Sequence, residues 1–188
     1  STFLSILNNI RNGVVDYNDL YILNQRTNMA LPENDMVITL CSINKTADNI
    51  NNVRLDAIKE PSYLFEGTIV KDFDEKKVPV SKELILKKGA QVMFCRNDPQ
   101  QRWANGTLGK ITQIDEENIF VTIENGEEYK VDKVSWEATS YEYNSEKKKV
   151  VKTITGSYSQ YPLKLAWAIT IHKSQGMTFD KMVLDLSN

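Results

Sequence analysis

The hydrophobic pattern changes twice along this chain, and the two changes limit the folds open to it. Residues 36–41 (MVITLC) form a compact apolar run with β-branched members, typical of a buried strand. Helical spacing precedes it at 4–10, with Gly13 as a stop, and at 17–23. It returns at 47–58, where Asn44 is expected to cap the helix and Pro61 to end it. Strand and helices in this order predict an α/β layer.

A different pattern fills the middle of the chain. Short alternating or β-branched runs, separated by turn residues, predict strands, and Asn125-Gly126 is a hairpin signal between two of them. Such a series predicts a small β-barrel. The α/β pattern resumes after Pro162, so the sequence predicts an α/β domain interrupted by a β-barrel. The expected strands are 63–70, 84–86, 90–95, 107–114, 119–124, 127–131, 134–143 and 148–154.

Composition excludes several classes of protein. The net charge of −2 excludes a strongly basic nucleic-acid-binding domain, although a local basic groove stays open. Cys41 and Cys95 form no CxxC pair, and His172 is the single histidine, so we expect no metal site and no disulfide scaffold. Without a signal peptide or a long apolar run, we expect an intracellular, reducing location such as the cytoplasm, and no membrane contact.

The segment 170–176 (TIHKSQG) is the strongest candidate for chemistry. Hydroxyl, imidazole, ammonium and amide groups follow an apolar run here, and a glycine comes after them. Such groups are suitable hydrogen-bond donors to phosphate oxygens. On the residues alone, a plain polar turn between two strands explains the segment as well.

Three blocks of the sequence resemble superfamily 1 helicases of the Pif1-like and RecD-like branch. Residues 165–186 (LAWAITIHKSQGMTFDKMVLDL) closely resemble motif V of that branch. Residues 89–111 (GAQVMFCRNDPQQRWANGTLGKI) resemble the segment leading into its SH3-like insertion, and residues 38–55 (ITLCSINKTADNINNVRL) are similar to its motif IV region. The blocks keep the family's order.

The resemblance implies a fold and a domain layout. The expected fold is a portion of a RecA-like motor domain with an inserted SH3-like β-barrel. The first part of RecA-like domain 2 spans 1–62, the insertion 63–155 and the second part 156–188. Because the chain starts without Met and stops after an apolar run, we expect a fragment of a longer protein.

The same resemblance implies an ATP-dependent DNA helicase that unwinds with 5′ to 3′ polarity. ATP and Mg²⁺ would act in the full-length protein, between this domain and the missing first RecA-like domain. The chain lacks GxxxxGK[ST], since the stretch at 106–110 is too short and Ile111 follows it. We therefore expect no catalytic residue, no cofactor and no ATPase activity in this chain alone.

Roles for individual residues follow from their positions in the family's motifs. Thr170 and His172 match positions that contact phosphates of single-stranded DNA, and Lys173 and Ser174 could assist them. Gln175 and Gly176 match positions that couple the nucleotide to the DNA site. Asn105 and Thr107 match an NG[ST] element that could face the DNA.

Several alternatives stay open at this point. Asn105-Gly106 could be a simple turn, Trp103 could stack on a base or be a core residue, and Asn44 could be a ligand instead of a cap. The excess of cations between residues 86 and 113 could line a phosphate groove or a solvated barrel face. Those cations are Lys87, Lys88, Arg96, Arg102 and Lys110, against Asp98 alone.

A second function from another class is a non-enzymatic adaptor. Under that hypothesis the β-insertion is an SH3-like peptide-binding module whose groove uses clustered surface aromatics. The aromatics between residues 63 and 143 keep this hypothesis open, although it gives the HKSQG block no role.

Overall fold

A computed structural model describes residues 2–27, 29–30, 36–74, 78–144 and 149–187. The chain divides into two compact units, Ser1–Asp35 and Met36–Asn188.

The first unit contains the two expected helices, α1 (Thr2–Asn12) and α2 (Tyr17–Asn24). Gly13, with φ of +69°, follows α1, which confirms it as the stop. Asp16 and Asp19 form a reciprocal capping box at the start of α2. The Asn9 side chain donates to the Asp19 carboxylate over 2.8 Å, so this cap also ties α2 to α1.

The second unit is built from one helix and thirteen strands among the described residues. The helix is α3 (Asn44–Ala57), which confirms the expected helix before Pro61. The strands are β1 (Ile38–Cys41), β2 (Ser62–Glu66), β3 (Thr68–Lys71), β4 (Glu83–Lys87), β5 (Gln91–Phe94), β6 (Leu108–Ile114), β7 (Ile119–Ile123), β8 (Glu128–Val131), β9 (Val134–Asn144), β10 (Lys149–Gln160), β11 (Leu163–Leu165), β12 (Ala168–Thr170) and β13 (Met182–Asp185).

A three-stranded parallel sheet joins the two ends of this unit. β1 lies between β12 and β13, and both neighbours run parallel to it. α3 packs on this sheet through Ala47, which forms a small cluster with Cys41 and Ala168. The sheet confirms that the α/β pattern resumes after the insertion, because β1 pairs with strands more than 120 residues further along the chain.

The residues between α3 and β12 form three antiparallel sheets. One has five strands in the order β11-β5-β6-β7-β8, one has three in the order β3-β10-β9, and one pairs β2 with β4. The described strands do not close into one barrel, so the SH3-like barrel stays a prediction. The domain boundaries also stay predictions, and β10 continues through residue 155 without a break.

Two expected strands differ in extent from the structure. The strand expected at 63–70 is divided at Gly67 into β2, which pairs with β4, and β3, which pairs with β10. The Tyr158 ring fills the space beside Gly67, and an added Cβ there would lie 2.5 Å from the Tyr158 hydroxyl oxygen. The strand expected at 148–154 extends to Gln160. The charge run at 146–149 (EKKK) predicts an exposed hairpin tip, but residues 145–148 lie outside the described part of the chain.

β5 is buried on both faces and links the insertion to the parallel sheet. Val92 and Phe94 belong to the main core of the insertion, whereas Met93 packs with Ile38 and Leu40 of β1. The Gln91 side chain donates to the carbonyls of Val37 and Ala166 at 3.0 and 2.8 Å. The insertion therefore shares its core with the body instead of being tethered at its ends alone.

Trp103 is a core residue. Its side chain is 9% exposed, its ring stacks on Phe94 with a centroid distance of 4.3 Å, and the Arg102 guanidinium lies 4.4 Å from the ring centroid. The ring is thus covered by the protein itself and is not free to stack on a nucleic-acid base.

The loop before Trp103 is organised by Asp98. This carboxylate accepts two hydrogen bonds from the Arg102 side chain at 2.8 Å and two more from the backbone N–H groups of Gln100 and Arg102. The side-chain hydrogen bond from Arg102, followed by the backbone bonds and the opposite charge, lowers the pKa of Asp98 from 3.8 to about 2.

We expect Asp98→Asn to lower the free energy of unfolding by about 1–2 kcal/mol near neutral pH, because the charge-assisted hydrogen bonds are lost. A lowered pKa means that the carboxylate stabilises the fold fully above pH 3.8, and this contribution disappears as pH falls through about 2. Urea unfolding of the wild type and of Asp98→Asn at neutral and acidic pH measures this effect. The difference between their free energies of unfolding should become smaller in acid. A difference that stays constant with pH would show that the charge does not stabilise the loop.

Candidate functional site

A small cleft lies at the carboxyl ends of β1 and β12. Its volume is about 360 Å³, and its lining combines both strand ends: Ser42, Ile43, Asn44, Thr170, His172 and Lys173. In open α/β sheets, ligands bind outside the carboxyl ends of the strands. The structure therefore brings together the three candidate residues Thr170, His172 and Lys173.

The turn after β12 decides which of these side chains reach solvent. Ile171 donates its N–H to the Cys41 carbonyl at 3.0 Å, and a 3₁₀ turn follows at His172–Ser174. The Ser174 hydroxyl donates to the Ile171 carbonyl at 2.7 Å, so this donor serves the turn itself. His172 and Lys173 are exposed, whereas Thr170 is 5% exposed and forms the floor of the cleft.

The lining of the small cleft favours an anion. Lys173 carries a positive charge, His172 offers ring nitrogens, and none of the six lining residues is acidic. α3 begins at Asn44 in the same lining, so its first N–H groups and the positive end of its dipole lie at this cleft. Asn44 was expected to cap this helix; this is wrong, because Ile43 holds the cap position and no side chain makes a capping hydrogen bond.

A larger cleft of about 920 Å³ continues from the small one along α3 and shares Asn44, Thr170 and Lys173 with it. Its lining balances three lysines against three acidic residues: Lys87, Lys164 and Lys173 against Asp48, Asp56 and Glu83. The preference for an anion is therefore restricted to the small cleft.

Gln175 and Gly176 lie outside the linings of both clefts. Both residues are exposed, in a turn where the Met177 N–H donates to the Ser174 carbonyl at 3.0 Å. Gly176 has φ of +79°, and an added Cβ would meet no atom within 4 Å. Glycine is thus favoured at this position by the left-handed backbone and not by a close neighbour.

The Asn105-Gly106-Thr107 segment forms a turn beside the residue that follows Gly176. A Cβ added to Gly106 would lie 3.1 Å from the Cγ of Met177. The Thr107 hydroxyl oxygen accepts from the Ala104 N–H at 3.1 Å, and the Asn105 N–H donates to the Asn97 side chain at 2.7 Å. The turn is therefore internally bonded, and only the exposed Asn105 side chain is presented to solvent.

Three of the five cations between residues 86 and 113 bind groups of the protein itself. Arg102 pairs with Asp98, Arg96 donates to the Ser135 carbonyl at 2.6 Å, and Lys87 donates to the Ile58 carbonyl at 2.9 Å. These contacts indicate a structural role for three of the five cations. They do not favour a continuous groove that binds phosphates.

Surface aromatics of the insertion are few. Tyr141 and Tyr143 are each 67% exposed, but the other eight aromatics considered for a peptide groove are buried or half-buried. The clustered surface rings that the adaptor hypothesis requires are not found among them.

Sequence reasoning missed one wall of the small cleft. Ser42 and Ile43 were not considered, and Asn44 was assigned mainly to a cap. The signal available was the position of these residues, directly after a predicted buried strand and before a helix. Among the described residues, no cluster of three or more His, Cys, Asp or Glu side chains could hold a metal ion, and no helix is long and apolar enough to cross a membrane.

Comparisons with known proteins agree on one family. The family described as the DNA helicase Pif1 2B domain matches residues 75–114. The ATP-dependent DNA helicase Pif1 of Bdellovibrio bacteriovorus is 36% identical over 190 residues, which cover 98% of this chain and 41% of that protein. The chain therefore spans less than half the length of this curated relative.

Solved structures show the same relationship. The crystal structure of Bacteroides sp Pif1 in complex with ADP-AlF4 matches with a TM-score of 0.86 and 34% identity, covering 100% of this chain and 43% of that one. Bacteroides Pif1 bound to ssDNA matches with a TM-score of 0.74 and 35% identity, covering 97% of this chain and 42% of that one. The mixed α/β fold described above is thus similar to part of a Pif1 helicase.

Proposed function

We propose that this chain, which belongs to the Pif1 family of helicases, is the segment that holds single-stranded DNA in an ATP-dependent DNA helicase. The observation that carries this proposal is the small cleft at the carboxyl ends of β1 and β12. It combines a lysine, a histidine and a helix N-terminus without an acidic residue, and a DNA phosphate is the ligand that this set suits.

The proposed function also assigns a role to each part of the fold. The parallel sheet with α3 is a portion of the second RecA-like motor domain, formed by 1–62 and 156–188, and residues 63–155 are its SH3-like insertion. Support comes from the pairing of β1 with β12 and β13 across the insertion, and from the antiparallel sheets in between.

Each residue at the cleft has a distinct part in binding. The Lys173 ammonium supplies charge and flexible donors to a phosphate, and the His172 ring supplies a directed N–H. Thr170 lies on the floor, where its hydroxyl limits how deeply the phosphate enters. Asn105 precedes Gly106, the residue that lies against Met177, and is the candidate contact to the next part of the DNA strand, with Thr107 holding its turn.

ATP and Mg²⁺ belong to the full-length protein. This chain has no GxxxxGK[ST] loop, so its residues do not form a phosphate site for ATP. Gln175 and Gly176 lie outside the DNA cleft, which suits contact with a nucleotide held by the first RecA-like domain. The expected direction of movement is 5′ to 3′.

His172→Ala and Lys173→Ala in the full-length helicase test the proposed cleft. We expect each to weaken binding of single-stranded DNA about 5- to 30-fold, equivalent to about 1–2 kcal/mol, with an unchanged melting temperature because both side chains are exposed. Lys173→Ala should also reduce the slope of log affinity against log salt by about 0.7, because one phosphate contact is lost. Fluorescence anisotropy at several salt concentrations measures both quantities.

Lys130→Ala is the matched control, since it removes a lysine from β8 and not from the cleft. Thr170→Ala is less clean, because Thr170 is buried and its loss also affects packing. If the His172 and Lys173 variants bind DNA as tightly as the wild type but melt at lower temperature, the segment is a structural turn.

A further inference from the structure

α3 carries a buried asparagine whose side-chain amide bonds to both backbone groups of one residue of β12. Asn51 is 9% exposed. Its Nδ2 donates to the Ala168 carbonyl at 2.9 Å, and its Oδ1 accepts from the Ala168 N–H at 2.9 Å. The two residues are 117 positions apart, so this amide closes a long-range contact.

The contact completes the edge of the parallel sheet. On its other side β12 pairs with β1, where the Trp167 carbonyl accepts from the Thr39 N–H at 2.8 Å and the Ile171 N–H donates to the Cys41 carbonyl at 3.0 Å. Alternate residues of a strand direct their N–H and C=O to opposite sides. Ala168, directly after Trp167, directs both groups away from β1 and towards the Asn51 amide, which takes the place of a further strand.

The same contact lies between the two walls of the DNA cleft. Thr170, two residues after Ala168, forms its floor, and Asn44, the first residue of α3, belongs to the opposite wall. Besides the amide, α3 meets β12 through the small side chain of Ala47 against Ala168, with Ile50 beside it. Small apolar contacts allow sliding, whereas two hydrogen bonds to the backbone of one residue fix register and direction.

We propose that Asn51 is a positioning residue for DNA binding: it fixes β12 against α3 so that both walls of the cleft meet one phosphate. The proposal rests on the proposed function of that cleft. Asn51 does not touch the DNA, and it acts through the backbone that carries Thr170, His172 and Lys173.

Asn51→Asp in the full-length helicase tests this proposal through pH. The ionised carboxylate keeps an acceptor for the Ala168 N–H but has no donor for the Ala168 carbonyl, and its second oxygen repels that carbonyl. The protonated carboxyl offers one O–H and one C=O, which is the pattern of the amide. Burial and the facing Ala168 carbonyl both disfavour the ionised form, so the pKa of a carboxyl at this position is raised above its ordinary value of about 3.9. Affinity for single-stranded DNA should be at least about fivefold below wild type near pH 8 and within about twofold near pH 5.5, where the carboxyl is protonated.

The affinity of Asn51→Asp is expressed relative to wild type at the same pH, so that the effects of the other titrating groups divide out. The charged residues that share the larger cleft with Asn51 are Asp48, Asp56, Glu83, Lys87, Lys164 and Lys173, and Cys41 packs beside Ala168. These groups and His172 are present in both proteins. Asn49→Asp is the matched control, because Asn49 is exposed on the same helix and lines neither cleft, and its affinity ratio to wild type should not change with pH.

A second variant keeps the test decisive if Asn51→Asp does not fold near pH 8. Relative to wild type at the same pH, Asn51→Ala should raise the DNA concentration for half-maximal ATPase stimulation about fivefold. This factor should be the same at every pH, and the maximal rate should equal that of the wild type. Either of two results would overturn the proposal: a ratio for Asn51→Asp that is the same at both pH values, or variants that melt earlier but bind DNA normally while folded.

Discussion

The 188-residue chain, purified alone, is expected to hydrolyse ATP no faster than buffer, at least about 1000-fold below the full-length helicase on single-stranded DNA. The chain has no phosphate-binding loop. The one stretch that resembles it, 106–110, lies partly inside a strand: Gly109 pairs with Val92 and Lys110 with Gln91. Gly109 is also a packing glycine, since an added Cβ would lie 2.3 Å from Val121.

Phosphate release in the presence of single-stranded DNA measures this activity. The full-length helicase is the positive control, and a mock purification gives the background. Turnover that co-elutes with the chain through successive columns would contradict the assignment of the phosphate loop to a missing part of the protein.

Gly156→Ala is expected to lower the free energy of unfolding by at least about 3 kcal/mol. Gly156 lies in β10 just after a register shift, opposite Lys71 of β3 and Ala138 of β9. An added Cβ would lie 2.4 Å from the Asp72 carbonyl oxygen and 3.0 Å from that of Val70. Both are backbone atoms, so the methyl group forces the end of β3 away from β10. Urea denaturation measures the loss.

Gly126→Ala is the control for this prediction. Gly126 has φ of +86° in the hairpin turn and open space around it, so alanine there costs only about 1 kcal/mol for the backbone conformation. Equal losses for the two variants would show that the close approach of Asp72 to Gly156 contributes nothing.

Local patterns in the sequence predicted most elements of the fold because they depend on neighbours in the chain. The stops at Gly13 and Pro61, the alternation along β7 and the Asn125-Gly126 turn all report local geometry. The extension of β10 past residue 154 was missed because Gly156 follows directly and glycine is depleted in strands. Its burial alternates at Gly156, Tyr158 and Gln160, and Tyr158 and Gln160 make distant side-chain contacts that the sequence does not show.

The sequence predicted only one wall of the small cleft. The HKSQG block placed Thr170, His172 and Lys173 by resemblance, and the structure brings these three residues into one cleft. The opposite wall comes from residues that follow β1, and a single sequence does not reveal that β1 and β12 lie side by side. The Asn51 contact was missed for the same reason, because an asparagine inside a helical pattern has no local signature of its partner.

The pairing of β1 with strands from the far end of the chain has a consequence for biosynthesis. Both edges of β1 stay unpaired until residues 168–185 have been synthesised, which takes about 6–29 s after β1 at roughly 5–20 residues per second. During this interval the strands of the insertion can already pair, while Ile38 and Leu40 have no sheet to join. Contacts of such high sequence separation form slowly, so the nascent α/β body is the part that needs protection from aggregation.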